Sequence, residues 1–480
     1  MNSDEFRKNG YALVDWIAEY LAQPERYPVL PRVKPGDLRK ALPSSAPEEG
    51  EPFERIFADF ERSIVPALTH WNHPGFFAYF AISASEPGIL AELLSAALNQ
   101  QAMLWRTSPA ATELEEVTMN WLRQLMGLPD GFEGVIYDTA SIATLHGLAA
   151  AREAAVPDVR RAGLAGRADV RGVRVYCSEH AHSSVDKAVI LLGLGHEALQ
   201  RVPSDGTFSL DLGALRAAVS RDRAAGLVPM AVVATVGTTS MTSADPVREV
   251  ATLCADERMW LHVDAAYAGV AAIIPEYRHH FDGWERADSI VVNPHKWLFT
   301  PFDLSAFYCR RMDVVRSAFS LVPEYLRTAE GTSVRNLMDT GVQLGRRFRA
   351  LKLWMILRHF GAERLRRELR AHIELAQRFA EWVDASPDFE RLAPVPFSVV
   401  CFRARPSGVT MSDAELDALN ERLMAAVNAT GEIFISHTKI NSAIALRLAI
   451  GNIRTKHEHI ARAWELLRVH TAELTRASSV

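Results

Sequence analysis

The feature that most narrows the fold of this chain is a series of short, largely apolar strands set between helical segments. Val173-Arg174-Val175-Tyr176-Cys177, Met230 to Thr235, Trp260 to Asp264 and Ser289 to Val292 are the clearest of them. A strand with no solvent-facing polar side has both faces covered, and helices between such strands supply the cover. The pattern predicts an α/β fold with a mostly parallel central sheet in a large domain over residues 86–360. Ligands of such sheets bind at the carboxyl ends of the strands, so chemistry is expected there.

The flanks read differently. Residues 3–23 carry Phe6, Leu13, Val14, Ile17 and Leu21 near helical spacing, and a connector rich in proline (Pro24, Pro28, Pro31, Pro35, Pro43, Pro47, Pro52) follows. Residues 1–85 are therefore expected to be an N-terminal helical arm. Composition alone fits both a plain linker and an arm that docks on a second subunit. From residue 361 to 480 a charged helix, a short strand pattern (Phe397 to Phe402) and further helices predict a small C-terminal α+β domain. A chain of 480 residues exceeds one compact core, which agrees with this division.

Charge and cysteine usage exclude several functions. A formal net charge of -5 and no long basic run exclude a general nucleic-acid binder. Cys177, Cys254, Cys309 and Cys401 are far apart with no Cys-x-x-Cys pair, which favours reduced thiols over a disulfide framework or a zinc site. No stretch approaches the ~18 apolar residues that span a bilayer, so the expectation is a soluble, cytoplasmic protein.

The polar residues of interest stand just after the strands. Asn293-Pro294-His295-Lys296-Trp297 follows one strand, and His262-Val263-Asp264-Ala265-Ala266 closes another. The chain has eight lysines against 45 arginines, and Lys296 is the one lysine between Lys187 and Lys352. Desolvation at the mouth of a sheet lowers a lysine's amine pKa, which suits Schiff-base chemistry. Asp264 lies 296 − 264 = 32 residues earlier, at a strand end in the same expected crevice. Standing alone it reads equally as a helix N-cap. Together the two provide what pyridoxal 5'-phosphate (PLP) requires, a lysine for the aldehyde and an acid for the ring nitrogen.

Two further segments fit. Tyr137-Asp138-Thr139-Ala140-Ser141 opens an Ala-rich helix, where hydroxyls and N–H groups serve either as caps or as a phosphate cradle. His180-Ala181-His182 follows a strand, and with no third ligand at metal spacing an imidazole stacked on a planar cofactor is the sharper reading.

Taken in order, these segments resemble the group II PLP-dependent decarboxylases, most of all their aromatic-L-amino-acid branch. The resemblance runs from Phe6-Arg7 to Ala463-Trp464-Glu465. Its most specific stretches are Trp260 to Gly269 and Asn293 to Trp297, with Ser108 to Glu115 and Leu344 to Arg349 as further matches. It implies PLP fold type I, the aspartate aminotransferase-like architecture, and a homodimer with sites at the subunit interface. It assigns the covalent link to Lys296, the pyridine nitrogen to Asp264, and ring stacking to His182. Thr139, Ala140, Ser141, Asn293 and His295 would hold the phosphate, Thr239 would lie near the ring hydroxyl, and Ala266 beneath the ring. The aromatic pocket would use Trp71, Tyr79, Phe80, Ala81 and Ile82, with Gln101 and Met103 from the partner subunit.

Three departures from the family accompany the resemblance. Asp138 stands where glycine is usual, and Ile142 where a carboxylate is usual. Ala81 and Ile82 replace a proline and a threonine, which leaves fewer partners for a ring hydroxyl. The tyrosine of the loop over the site falls on Leu337, counted back from Leu344-Gly345-Arg346-Arg347. The expected activity is decarboxylation of an aromatic L-amino acid to its amine. Oxidative conversion to an aldehyde, an aminotransferase-like activity and a degenerate PLP-binding homologue are the alternatives.

Overall fold

A computed structural model describes residues 1–321 and 333–478. Tyr325 and Arg327, near the start of the expected loop, lie outside the described residues.

Seven strands build the main sheet: β1 (Glu133–Tyr137), β2 (Val173–Ser178), β3 (Leu199–Val202), β4 (Val228–Thr235), β5 (Trp260–Asp264), β6 (Ser289–Val292) and β7 (Ser305–Cys309). Their order is β1-β7-β6-β5-β4-β2-β3, and the block from β6 to β3 is parallel throughout. β7 runs antiparallel to both β6 and β1, so β1 ends at the same edge as the parallel block. That edge therefore gathers Tyr137, Thr235, Asp264 and Val292, and the first residue of β7, Ser305. All five residues of β5 are buried, as its lack of a polar face requires. The helix Ala140–Ala155 packs on the sheet, where a side chain on Gly147 would come within 3.0 Å of the His262 ring.

A second sheet contains β8 (Phe389–Arg391), β9 (Val399–Ala404), β10 (Ser436–Ile440) and β11 (Ala443–Ala449) in the order β10-β11-β9-β8. By its contacts the chain forms two compact units. One comprises Met1–Ala81, Arg378–Leu392 and Cys401–Val480, the other Ile82–Gln377 and Ala393–Val400. The first 81 residues share a unit with the C-terminal segment because backbone bonds tie them together. Val29 N–H donates to Gly431 (2.8 Å), Phe77 N–H to Phe434 (2.8 Å), and Ala449 N–H to Phe77 (2.9 Å). In this unit the helix Ser3–Ala22 packs Trp16 against Phe57 and Phe60, so the segment after the proline-rich connector folds back on this helix.

All four cysteines are free and buried. Burial pushes the thiols of Cys177 and Cys309 up to about 12 and that of Cys401 up to about 11. No described helix is long and apolar enough to cross a membrane.

Candidate active site

Asp264 ends β5 between two parallel neighbours, opposite Thr235 on one side and Val291 on the other. Its own carbonyl accepts Val236 N–H (2.9 Å), and its Oδ1 accepts Ala266 N–H (3.0 Å). The side chain is 5% exposed, and Oδ2 accepts no hydrogen bond among the described residues. An ionised carboxylate has acceptor capacity only, so this oxygen suits a donor such as a protonated ring nitrogen.

Lys296 lies in the one-turn helix Pro294–Trp297 and is half-buried. Its N–H donates to the Asn293 carbonyl (2.9 Å). Next to it Trp297 is fully buried, stacked on Tyr267 (4.8 Å between centroids), and donates Nε1–H to His372 Nδ1 (2.9 Å). The lysine backbone is thus pinned on the core side while the long stem keeps its reach.

His182 follows β2 and is exposed on one side. Its Nδ1 accepts Ser184 N–H (3.1 Å), which leaves the proton of the neutral ring on Nε2. Burial of the rest of the ring lowers its pKa. The Asp264 carboxylate acts on it in the opposite direction, and Lys296 and Lys187 add to the lowering. Asp264 and Lys296 both act electrostatically on this ring, and all three residues follow strands at the carboxyl edge of the sheet.

Around them stand the groups expected at the phosphate. Thr139 is the N-cap of the helix Ala140–Ala155 and makes no side-chain cap bond, so the first-turn N–H groups of Ala140 and Ser141 keep their donor capacity. Ser305 Oγ donates to Asn293 Oδ1 (2.6 Å), which fixes the amide and frees its NH₂. Leu304 N–H donates to His295 Nδ1 (3.0 Å), which puts the proton on Nε2. Burial first, and then Lys296, push the His295 pKa down to about 3. The set offers N–H and O–H donors beside a half-buried lysine and a carboxylate oxygen with spare capacity, and so fits PLP in donor chemistry. Ala266 is 7% exposed. Thr239 is exposed on the loop after β4, which Gly237 turns at φ +88, where a Cβ would come within 2.6 Å of Ala268.

Asp138 stands half-buried among these donors. Its Oδ1 accepts Thr139 N–H (2.6 Å) and the Thr139 hydroxyl (3.2 Å), and its Oδ2 accepts Gln343 Nε2–H (3.0 Å). Ile142 packs against the apolar core.

The expected pocket residues divide between the units. Trp71, Tyr79, Phe80 and Ala81 belong to the first, and Ile82, Gln101, Met103 and Leu337 to the second. In the first unit Trp71 stacks on Phe76 (4.3 Å) and Tyr79 (6.2 Å), and Tyr79 is 57% exposed at φ 51. In the second, Gln101 Oε1 accepts Arg346 N–H (3.1 Å), and the Met103 carbonyl accepts Met338 N–H (3.1 Å). Leu337 is 1% exposed and packs in the core cluster with Tyr137 and Leu148.

Three supporting residues escaped the sequence reading. Arg447 lies over the Phe80 ring (4.6 Å) and donates to the Tyr79 carbonyl. Arg346 forms a buried ion pair with Glu115 (2.7 Å) and bonds the Ile136 carbonyl (2.7 Å). Asp245 accepts Thr235 N–H (2.7 Å) and Leu210 N–H (2.9 Å), and burial raises its pKa to about 6. Arg346 and Glu115 lie in stretches that the resemblance covers, but their pairing, like the roles of Arg447 and Asp245, is marked by no local pattern.

The pyridoxal-dependent decarboxylase conserved domain matches residues 35–405. The aromatic-L-amino-acid decarboxylase of Sus scrofa is 41% identical over 99% of this chain and 98% of its own length. The phenylacetaldehyde synthase of Arabidopsis thaliana is 40% identical over 99% of this chain and 97% of its own. The crystal structure of Oryza sativa TDC with PLP and tryptamine superposes with a TM-score of 0.95 at 39% identity, covering 99% of each chain. This chain belongs to the PLP-dependent (group II) decarboxylase family and has its type I fold.

Proposed function

We propose that this chain decarboxylates an aromatic L-amino acid of the tryptophan, phenylalanine, tyrosine or DOPA class to the amine and carbon dioxide. The convergence of Lys296, Asp264 and His182 at the strand ends carries the reading. PLP, when bound, supplies a conjugated ring that withdraws the electron pair left as the bond to the carboxylate breaks. Lys296 would hold the cofactor's aldehyde. Asp264 Oδ2 would pair with the ring nitrogen and keep it protonated. His182, neutral with its proton on Nε2, would offer that N–H as a hydrogen bond that helps place the substrate carboxylate. Asn293, His295, Thr139, Ala140 and Ser141 orient the phosphate.

The deciding experiment incubates purified protein with tryptophan, tyrosine, phenylalanine, DOPA, histidine and glutamate, and measures amine, aldehyde and peroxide together. Amine from the aromatic substrates is the expected main product. Turnover of glutamate with none of the aromatic substrates would overturn the reading.

A second outcome is favoured by one observation. Leu337, at the position of the family's loop tyrosine, has no transferable proton and sits in the core. The similarity to a phenylacetaldehyde synthase points the same way. A minor, oxygen-dependent aldehyde product is therefore expected beside the amine.

The same reading makes the enzyme a cytoplasmic homodimer with sites at the subunit interface. The helix Glu86–Leu98 leaves Leu90, Leu93, Leu94 and Leu98 exposed, and Phe6 and Tyr11 are exposed on the helix Ser3–Ala22 of the other unit. Such apolar stretches are commonly covered by a partner. Four free, buried cysteines support a reducing compartment. Light scattering should give twice the mass of one chain, and a fully active monomer would overturn this assignment.

A further inference from the structure

We infer that Asp138 opposes the cofactor's phosphate, so that this chain separates PLP from dephosphorylated pyridoxal less sharply than the same cradle would with an uncharged residue. The inference rests on the PLP reading above. The donors at issue are the Thr139 hydroxyl and the N–H groups that open the helix Ala140–Ala155. Asp138 already takes the hydroxyl (3.2 Å) and Thr139 N–H (2.6 Å) through one oxygen and holds Gln343 through the other (3.0 Å).

A carboxylate is an acceptor and has nothing to offer a phosphate oxygen. The positive end of the helix dipole favours whichever anion sits there, so carboxylate and phosphate compete for one stabilising field. No Lys or Arg pairs with Asp138 among the described residues, and its hydrogen-bond partners, Thr139 and Gln343, are both neutral. His146 feels its charge, but burial holds that imidazole neutral, with a pKa lowered to about 4. Two unscreened anions in a half-buried site repel. Ile142, where the family carries a carboxylate, is packed on the core. The acid of this chain stands 142 − 138 = 4 residues earlier, on the donors themselves. Occupancy of the site then follows the supply of free PLP.

The test compares dissociation constants for PLP and for pyridoxal, read from absorbance and fluorescence titrations of the wild type, Asp138→Asn and Asp138→Gly. Both ligands carry the aldehyde that Lys296 takes, and only one carries the phosphate. The ratio of the two constants should rise in favour of PLP by about tenfold in either variant, with pyridoxal binding unchanged. An unchanged or falling ratio in both variants overturns the role of Asp138, as does an equal gain for the two ligands. Melting temperatures without ligand identify a variant that fails to fold, in which case the other decides. His295→Ala and Asn293→Ala separate the two levels. If they leave the wild-type ratio untouched, the phosphate does not lie at this end and the PLP reading of these residues falls first.

Discussion

The carboxyl ends of β5 and β6 and the segment 335–346 are both dense in polar groups, yet the bonds that hold them differ in reach. At the strand ends each polar side chain is held by one bond and keeps one functional atom uncommitted. Asp264 keeps Oδ2, His295 keeps Nε2–H and Asn293 keeps its NH₂ among the described residues. In segment 335–346 most of the bonds reach distant parts of the chain. Asn336 accepts Trp105 N–H (3.2 Å), Thr340 donates to the Leu337 carbonyl (2.6 Å), Asp339 accepts from Ser320 (2.8 Å), and Arg346 is paired with Glu115. Long-range bonds of that kind fix a scaffold, and a group held locally by one bond with another to spare is ready for a ligand. The difference marks where chemistry resides.

The comparison breaks first at Lys296. Lys296→Ala should abolish turnover and remove all cofactor fixed by borohydride, read by peptide mass mapping. Label on any other lysine would move the site away from these strand ends. The next effect belongs to His182. His182→Ala should lower kcat by about 10²–10³-fold, the range for removing one positioned hydrogen-bond donor. The pKa of this ring is lowered, so it stays neutral until the pH drops below the ordinary imidazole value of about 6.5. The wild-type kcat/KM should accordingly fall on the acid side of that value, and an acid limb centred above it would remove His182 from the proton-bearing role.

At Leu337 the expected effect is on stability. Leu337→Ala should cost about 2–5 kcal/mol in denaturant unfolding, as deletion of a buried side chain does. Leu337→Tyr should cost about 1–3 kcal/mol through overpacking. In folded Leu337→Tyr protein the aldehyde-to-amine ratio should fall, and an unchanged ratio would take this position out of proton delivery. The smallest effect concerns substrate choice. Ile82 has no hydrogen-bonding atom, so kcat/KM for tryptophan or phenylalanine should stay within about tenfold of that for DOPA. A site that pairs a ring hydroxyl discriminates far more strongly. A strict preference for DOPA or tyrosine would show that another group reads the hydroxyl.

The sequence carried the parallel core because β2, β4, β5 and β6 are apolar enough to stand out, and the segment Trp260 to Asp264 coincides with β5. It did not reveal β1, β3 or β7. β3 is four residues with two of them not buried, and β1 is interrupted by Gly134. The direction of β7 depends on pairing, which apolarity does not encode. The positions of Asp264 and Lys296 at and just after strand ends were legible because β5 and β6 lie where the apolar pattern put them. The fixing of Asn293 by Ser305, and the burial of Leu337, depend on neighbours brought in by the fold and were not.

The buried cysteines have a practical consequence. With pKa values pushed up to about 11 and about 12, Cys401, Cys177 and Cys309 each hold a thiolate fraction of about 10⁻⁴ or less at neutral pH. Cys254, pushed higher by burial, holds less. Maleimides and mild oxidants should pass over the native protein. A cysteine introduced on the surface would then take a fluorophore or spin label at a single address, without first stripping the four native thiols from the core.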